Sequence, residues 1–214
     1  MDKKSRKHFL ITAGGTREYI DPVRFISNAS SGRMGYALAE AAIKAGHKVT
    51  LITAPANLRP PAASKIIYSE SSRQMFAAVR KYFNRCDCLI MAAAVSDYAP
   101  ARPAKTKIKK SDKDLTIVLK PTPDILKWAA GKKKRVQVVV GFSLEDRDIR
   151  ANAEKKLAEK KLDMVIANTP AEIASSRCKL QIKTFADKWL ALPAMSKEKA
   201  SAQIIRIVEG LQKK

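Results

Sequence analysis

The sequence is short of the residue types that build several common kinds of functional site. It has only two histidines and three cysteines among 214 residues. Cys86 and Cys88 lack zinc-site spacing and a partner pair, so we expect neither a zinc site nor a disulfide framework. The thiols are instead expected to be reduced, in the core or at the surface.

Long apolar runs are also missing. The longest one falls well short of the roughly 20 residues that a membrane-spanning helix needs. The N-terminal segment enters a strand pattern directly, with no secretion signal, so a cytoplasmic protein without membrane association is expected. Hydrophobic residues make up 46% of the chain, which predicts one globular domain over residues 1–214.

Acidic residues are scarce beside basic ones. There are 20 of the former and 42 of the latter, giving a formal net charge of +22. Such a charge suits nucleic acid, and a basic nucleic-acid-binding protein on a Rossmann-like scaffold is the second hypothesis. However, the basic residues are spread along the whole chain, and no nucleic-acid recognition motif stands out. An enzyme for anionic ligands accounts for the charge at least as well, so nucleic acid is the less favoured partner.

The two common phosphate-binding motifs are absent. The sequence contains neither G-x-G-x-x-G nor the P-loop pattern. After the second predicted strand the chain reads Ala54-Pro55-Ala56-Asn57, without the acid that holds an adenosine ribose in NAD sites. An NAD(P)-dependent redox enzyme, a third hypothesis, therefore rests on fold analogy alone.

What the chain does have is a regular alternation of strand and helix patterns. This alternation predicts an α/β fold, a Rossmann-like three-layer α/β/α sandwich on a mostly parallel sheet. Ligands in such sheets bind beyond the carboxyl ends of the strands, so the loops after Ala13, Ala94, Gly141 and Ala167 are the candidates for function. Strands are predicted over residues 8–13, 48–53, 65–69, 88–94, 115–120, 136–141 and 163–167, and helices over 33–45, 71–84, 148–161 and about 197–211.

The loop between the first strand and the first helix carries the strongest local signal. Ser30, Ser31 and Gly32 lie where the helix begins, so free N–H groups, hydroxyls and the positive end of the helix dipole favour a phosphate there. The alternative is an ordinary helix start capped by Ser or Asn. The length of the loop and its Arg17, Arg24, Asn28 and Arg33 favour the functional interpretation.

A second segment interrupts the strand and helix rhythm. Residues 98–122, called the flap below, are rich in lysine and proline and end in an alternating pattern over 115–120. A long basic insertion with hairpin character, after a central strand, is typical of a flap or dimerisation arm. From charge alone, a solvated lysine-rich loop is an equal alternative.

Taken together, the motifs resemble those of phosphopantothenoylcysteine synthetase, the stand-alone bacterial type of this ligase of coenzyme A biosynthesis. The resemblance runs from about residue 8 to the C-terminal helix. It is carried by segments 11–17, 21–28, 30–35, 92–98, 107–110, 121–126 and 140–142, which include Gly14-Gly15-Thr16, Ser30-Ser31-Gly32-Arg33-Met34-Gly35, Ala94-Val95-Ser96-Asp97 and Pro121-Thr122-Pro123-Asp124.

The resemblance implies a two-step reaction with CTP, or alternatively ATP, and Mg²⁺. The carboxylate of 4′-phosphopantothenate is activated as an acyl-cytidylate with release of pyrophosphate, and the amine of L-cysteine then displaces CMP. It also implies a homodimer whose flap reaches the neighbouring subunit.

The resemblance further implies roles for individual residues. Lys107 neutralises charge during activation, Asn28 holds the activated acyl carbonyl, and Arg24 assists binding or positioning. The implied nucleotide-binding residues, Lys107 among them, are Ser30, Ser31, Gly32, Met34, Gly35, Asp97, Pro123, Asp124, Ile125, Leu126, Phe142, Lys156 and Lys160. Without the resemblance, Lys156 and Lys160 would be a solvated helix face, and Asn28 and Asp97 would be caps. Metal ligands are not assigned, and contacts within 168–188 are not carried over because that region matches poorly.

Overall fold

A computed structural model describes residues 6–62, 64–173, 175–185 and 188–211. The strands in this part of the chain are β1 (His8–Ala13), β2 (Arg17–Tyr19), β3 (Phe25–Ser27), β4 (Lys48–Thr53), β5 (Lys65–Tyr68), β6 (Cys88–Met91), β7 (Tyr98–Pro100), β8 (Leu119–Pro121), β9 (Val138–Leu144), β10 (Met164–Asn168), β11 (Arg177–Thr184) and β12 (Leu190–Ser196). The α-helices are α1 (Arg33–Lys44), α2 (Ser72–Phe83), α3 (Ile125–Lys132), α4 (Ile149–Glu159) and α5 (Lys197–Leu211), and a short 3₁₀ helix covers Pro170–Glu172.

Eight strands form one sheet in the order β12-β11-β10-β9-β6-β1-β4-β5. From β10 to β5 every neighbouring pair is parallel, whereas β11 and β12 pair antiparallel at one edge. The parallel part has the strand order of a dinucleotide-binding fold, in which the direction of winding reverses between β1 and β6. The prediction of a mostly parallel Rossmann-like sheet is therefore confirmed.

The two faces of the sheet bury separate cores. Along β1 the side chains alternate, with Phe9 and Ile11 on the face that packs against α1 and α5, and Leu10 on the face covered by α2, α3 and α4. All three side chains are fully buried, because a parallel strand flanked by helices is covered on both sides. The predicted three layers are present, and no helix in the described ranges is long and apolar enough to cross a membrane.

Several local predictions were wrong. The alternating pattern over 115–120 predicted a strand, but β8 begins only at Leu119 and pairs with β7 through three residues on each side. The first loop, for which no strands were predicted, contains the antiparallel hairpin β2–β3. Helix α3 was not predicted, because the prolines at 121 and 123 that precede it are typical of a loop. The strands β11 and β12 lie in and beyond the poorly matching region and were also missed.

Candidate functional site

A cavity lies beyond the carboxyl ends of β1 and β6, where the winding of the sheet reverses. The loops that follow these strands are joined by hydrogen bonds, since Ala94 N donates to Gly14 O at 2.9 Å and Thr16 N donates to Ala94 O at 3.2 Å. The cavity has a volume of about 440 Å³; we call it the switch-point cavity. Its position is the one expected for a ligand site in an open α/β sheet.

Glycines allow the backbone segments around this cavity to approach closely. Gly14 and Gly32 have φ values of +82° and +77°, which L side chains rarely adopt. A Cβ atom on Gly35 would lie 2.5 Å from Ala13 Cβ and 2.8 Å from Thr12 O. Gly35, predicted to bind nucleotide, is thus required for packing α1 against β1, and it does not line the switch-point cavity.

The N-terminus of α1 opens into the cavity. Gly32 at the N-cap position forms no side-chain capping bond. The Ser30 hydroxyl accepts from Gly32 N at 3.4 Å and the Ser31 hydroxyl accepts from Arg33 N at 3.5 Å, distances at which hydrogen bonds are weak. The first N–H groups of α1 are therefore poorly satisfied within the chain and face a space large enough for a ligand.

Eight of the predicted site residues meet in the switch-point cavity. They are Asn28, Ser30, Ser31, Gly32, Met34, Asp97, Phe142 and Lys156. Asn28 lies just after β3, and its side-chain amide donates to Ala94 O at 3.2 Å. This bond fixes Asn28 across the switch point, between the loops that follow β1 and β6.

The two helix lysines have separate environments. Lys156 Nζ donates to Phe142 O at 2.7 Å on the cavity wall. Burial lowers the pKa of Lys156, and the positive charge of Lys160 lowers it further. Lys160 lies outside the cavity lining and forms an ion pair with Asp124 at 2.9 Å. The i, i+4 spacing placed both lysines on one helix face, but only Lys156 reaches the cavity.

Residues 123–126 form the start of α3. The Asp124 carboxylate caps the helix by accepting from Lys127 N at 2.9 Å. Burial tends to raise the pKa of Asp124, but this hydrogen bond and the Lys160 ammonium outweigh it and lower the pKa. Ile125 and Leu126 are core residues, 3% and 7% exposed. None of the residues from Pro123 to Leu126 lines the switch-point cavity.

Arg24 connects the β2–β3 hairpin to the flap. Its guanidinium pairs with the buried Asp21 carboxylate and also donates to Ile108 O at 2.8 Å. The same carboxylate accepts from Ile108 N at 3.1 Å. The hydrogen bond from Arg24 is the main reason that the pKa of Asp21 is held well below its usual range. The bonds among Asp21, Arg24 and Ile108 are called the clamp below. Lys107, which precedes Ile108 in the chain, is exposed and does not line the switch-point cavity.

Sequence reasoning named the loops after Gly141 and Ala167 but none of the individual residues that form one wall of the cavity. This wall consists of Leu144, Asn168, Glu172, Ile173, Cys178 and Lys197. Cys178 lies on β11, whose burial alternates residue by residue from Arg177 to Thr184. That alternation is visible in the sequence and could have revealed the strand. Lys197, at the start of α5, is only 5% exposed; a buried lysine leaves no pattern in the sequence.

The chemistry of the lining favours an anionic organic ligand. Arg33, Lys156 and Lys197 supply positive charge, and Asp97 and Glu172 supply carboxylates. The Glu172 carboxylate is engaged by Thr169 N and Thr169 Oγ1, each at 2.6 Å. In the described part of the chain, no group of three or more His, Cys, Asp or Glu residues could hold a metal ion. The three cysteines are free and buried.

The chain is similar to proteins of coenzyme A metabolism. A family model described as the DNA/pantothenate metabolism flavoprotein C-terminal domain matches residues 4–211. The coenzyme A biosynthesis bifunctional protein CoaBC of Bacillus subtilis (strain 168) is 43% identical over 212 residues, covering 97% of this chain and 52% of that protein. The chain thus spans about half the length of the curated relatives that it matches.

Solved structures share the fold. A crystal structure of the C-terminal domain of a CoaBC protein is 33% identical, with a TM-score of 0.84 and coverage of 98% of each chain. A Cab2 mutant in complex with phosphopantothenate-cysteine has a TM-score of 0.80 at 18% identity, covering 95% of this chain and 86% of that one. At that identity the second likeness concerns the fold alone.

Proposed function

The chain belongs to the family of the DNA/pantothenate metabolism flavoprotein C-terminal domain, and from this premise we propose that it is a phosphopantothenate–cysteine ligase of coenzyme A biosynthesis. The observation that carries the proposal is the switch-point cavity itself. It brings Asn28 and the open N-terminus of α1, which are close together in the sequence, to the same place as the distant Lys156. The 43% identity with the coenzyme A biosynthesis bifunctional protein CoaBC of Bacillus subtilis supports a role in the same biosynthesis.

The proposed chemistry joins two anions before it forms an amide. A carboxylate oxygen of 4′-phosphopantothenate attacks the α-phosphorus of the nucleotide and expels pyrophosphate. The amine of L-cysteine then attacks the acyl carbon, expels the nucleoside monophosphate and loses a proton. Positive charge and N–H donors are needed in the first step to bring the anions together, and a donor on the acyl carbonyl is needed in the second.

Asn28 is proposed to be that donor in the second step. Its side-chain amide lies on the cavity wall and already donates to Ala94 O, so it is held in place before substrate arrives. One amide hydrogen is used by this bond and the other is available for the acyl oxygen. The role of Arg24 is proposed to be indirect, because its guanidinium is engaged by Asp21 and Ile108.

The nucleotide is proposed to bind along the cavity with its phosphates at the α1 N-terminus, near Ser30, Ser31, Gly32 and Met34. Asp97, Phe142 and Lys156 would surround the ribose and base. Residues 123–126 and Lys160 would act as support, since the Asp124–Lys160 pair connects α3 to the end of α4. CTP is the proposed nucleotide, with ATP as the alternative.

Magnesium is proposed to enter with the triphosphate. Magnesium in such sites keeps several waters and is bound largely through the substrate phosphates, so the triphosphate itself is proposed to supply most of the ligands. Bound Mg²⁺ would neutralise phosphate charge during activation.

A homodimer is proposed to complete the site, with Lys107 supplied by the partner's flap. Large apolar side chains are exposed on the β2–β3 hairpin and on the flap, namely Val23, Phe25, Tyr98, Leu115, Val118 and Leu119. The hairpin and the flap lie next to each other, since the Arg24 guanidinium donates to Ile108 O. An exposed apolar set of this kind is suited to an interface between copies of the chain. We propose that the reaction takes place in the cytoplasm.

The test is a panel of reactions with the full chain. The protein is incubated with phosphopantothenate, L-cysteine, Mg²⁺ and one nucleoside triphosphate at a time, while pyrophosphate and the thiol product are measured. We expect both products with CTP and less or none with the other triphosphates. If no triphosphate gives pyrophosphate or the thiol product, the proposed function is wrong.

A further inference from the structure

The wall of the switch-point cavity that sequence reasoning missed contains a cation with an unusual environment. Lys197 is 5% exposed, and its Nζ donates to Ile173 O at 3.3 Å. No ion pair of Lys197 is formed within the described residues, although Glu172 and Glu198 act on it electrostatically. Lysine is almost never this buried unless it is paired, so the ammonium group is short of an anionic partner.

The surroundings of Lys197 show where such a partner would lie. Arg33 and Lys197 are the two residues that line both the switch-point cavity and a neighbouring cavity of about 600 Å³. Arg33 is the first residue of α1, whose N-terminal N–H groups are poorly satisfied. A buried ammonium, a guanidinium and a helix N-terminus therefore converge where the two cavities meet.

We propose that Arg33 and Lys197 form the subsite for the terminal phosphates of the nucleotide, the part that leaves as pyrophosphate. The inference rests on the proposed function and refines it, since it separates the two ends of the cavity. Lys156 Nζ is bound to Phe142 O and Lys160 is paired with Asp124, so the helix lysines have partners of their own. Among the described residues, Lys197 Nζ has one long hydrogen bond, and Lys197 lines the same cavity as the start of α1, whose N–H groups suit phosphate.

The environment of Lys197 supports this subsite in a second way. Burial lowers the pKa of the Lys197 ammonium, and the positive charge of Arg33 adds to the effect. Burial and the charge of Arg33 lower the pKa less when a polyanion is present, because the anion compensates the desolvated positive charge. Binding of phosphate thus relieves an electrostatic cost that the free protein carries.

The test compares nucleotides that differ only in their terminal phosphates. Lys197→Met keeps most of the length of the side chain and removes its charge. Lys199→Met, at an exposed position on the same helix, is the matched control. Affinities for CTP, CMP, ATP, AMP and inorganic pyrophosphate are measured by calorimetry at fixed salt and Mg²⁺. We expect Lys197→Met to weaken triphosphate and pyrophosphate binding about 10- to 100-fold, with CMP and AMP changed by less than about threefold. The control should match the wild type.

Thermal unfolding separates binding from folding. Without ligand, Lys197→Met is expected to unfold at the wild-type temperature or above it, because an uncompensated buried charge has been removed. The increase in unfolding temperature on adding triphosphate should be largely lost. If Lys197→Met does not fold, Arg33→Met, at an exposed position, provides the same comparison.

Two outcomes would overturn the subsite. One is an unchanged ratio of triphosphate to monophosphate affinity in Arg33→Met and, where it folds, in Lys197→Met. The other is an equal loss for both classes of nucleotide, which would indicate a merely structural role. Both measurements are made without turnover, so failure of the ligase reaction and failure of this subsite are distinguishable.

Discussion

The switch-point cavity and the flap carry different parts of the proposed site and are built in opposite ways. The cavity is formed by loops that follow two central strands, joined by hydrogen bonds through Ala94 and packed closely at Gly14, Gly32 and Gly35. The flap contains the short β7–β8 ladder, and beyond it the flap is attached to the β2–β3 region by the clamp at Ile108 and by the hydrogen bond from Ala104 N to Ile20 O at 2.8 Å. Its lysines are exposed.

The difference teaches that one chain preorganises the cavity end of the proposed site but leaves Lys107, on the flap, outside the cavity. Asn28 lies on the cavity wall, whereas Lys107 does not. If the proposed reaction is correct, the fixed part binds and aligns the reactants while the flap delivers charge. The predictions below test this division, from the largest expected effect to the smallest.

Lys107→Ala is expected to slow the activation step about 1,000-fold, because the ammonium group that stabilises the negative charge developing on the phosphates is lost. Pyrophosphate release in single turnover measures this step. Lys109→Ala, on the same exposed segment, is the control and should retain activity. Normal activation in Lys107→Ala would contradict the role of the flap lysine.

Mixing variants tests whether the flap serves a partner subunit. Lys107→Ala and Asn28→Ala are each inactive in product formation on this view, but a mixed dimer has one intact site. Random pairing should restore about one quarter of the wild-type activity. If mixing restores nothing although subunits exchange, the flap and the cavity of one site belong to the same chain.

Asn28→Ala is expected to leave pyrophosphate release nearly normal and to slow amide formation about 100-fold, the cost of losing one donor to the acyl oxygen. Quenched-flow measurement of pyrophosphate and thiol product separates the steps. Ser27→Ala, an exposed neighbour, is the control. Equal loss in both steps would assign Asn28 a different role.

Asp21→Asn is expected to release the flap and slow activation about 10-fold, because small displacements of a reacting group are costly. The fold should be retained, as judged by circular dichroism. If Asp21→Asn activates substrate at the wild-type rate, the clamp does not position the flap.

The clamp also has a predictable pH dependence. Arg24 holds the pKa of Asp21 well below its usual range, so the stability that the carboxylate contributes is complete above the ordinary pKa of aspartate. It is lost as the pH falls through the folded-state value. The stability difference between wild type and Asp21→Asn should therefore be constant near neutral pH and shrink in acid, as measured by denaturant unfolding across pH.

Gly35→Ala is expected to destabilise the protein by about 1–3 kcal/mol, because the new methyl group would overlap β1. Gly131→Ala is the matched control in α3, where a Cβ atom would meet nothing within 4 Å. It should be neutral or stabilising by up to about 1 kcal/mol. Urea unfolding measures both, and equal effects would show that the contact of α1 with β1 is not the reason for glycine.

Much of the sheet could be predicted because its signals are local. Continuous apolar runs marked β6, β9 and β10, and helical spacing marked α1, α2 and α5, with errors of a few residues at the ends. The prediction of a strand over 115–120 failed because the alternation of apolar and polar residues there is not matched by burial. Leu115 and Val118 are 55% and 71% exposed. Periodicity indicates a strand only when one face has something to pack against.

The candidate site was predictable where a motif is contiguous. The Ser30–Gly32 turn lines the cavity as expected, since a helix start places its own N–H groups. Predictions that depended on a side chain's direction succeeded less well. Lys156 lines the cavity but Lys160 pairs with Asp124, and Ile125 and Leu126 are buried in the core.

By itself, the sequence determined the α/β alternation, the family resemblance and the position of the first helix start, on which the proposed phosphate site depends, because each rests on residues close together in the chain. Only the tertiary structure decided that Lys197 enters the same cavity as Arg33, and that Arg24 is engaged with Asp21 and Ile108 rather than available to a ligand. The reason is physical: local periodicity sets the backbone, whereas packing between distant elements sets which side chains share a buried space and which charges have partners there.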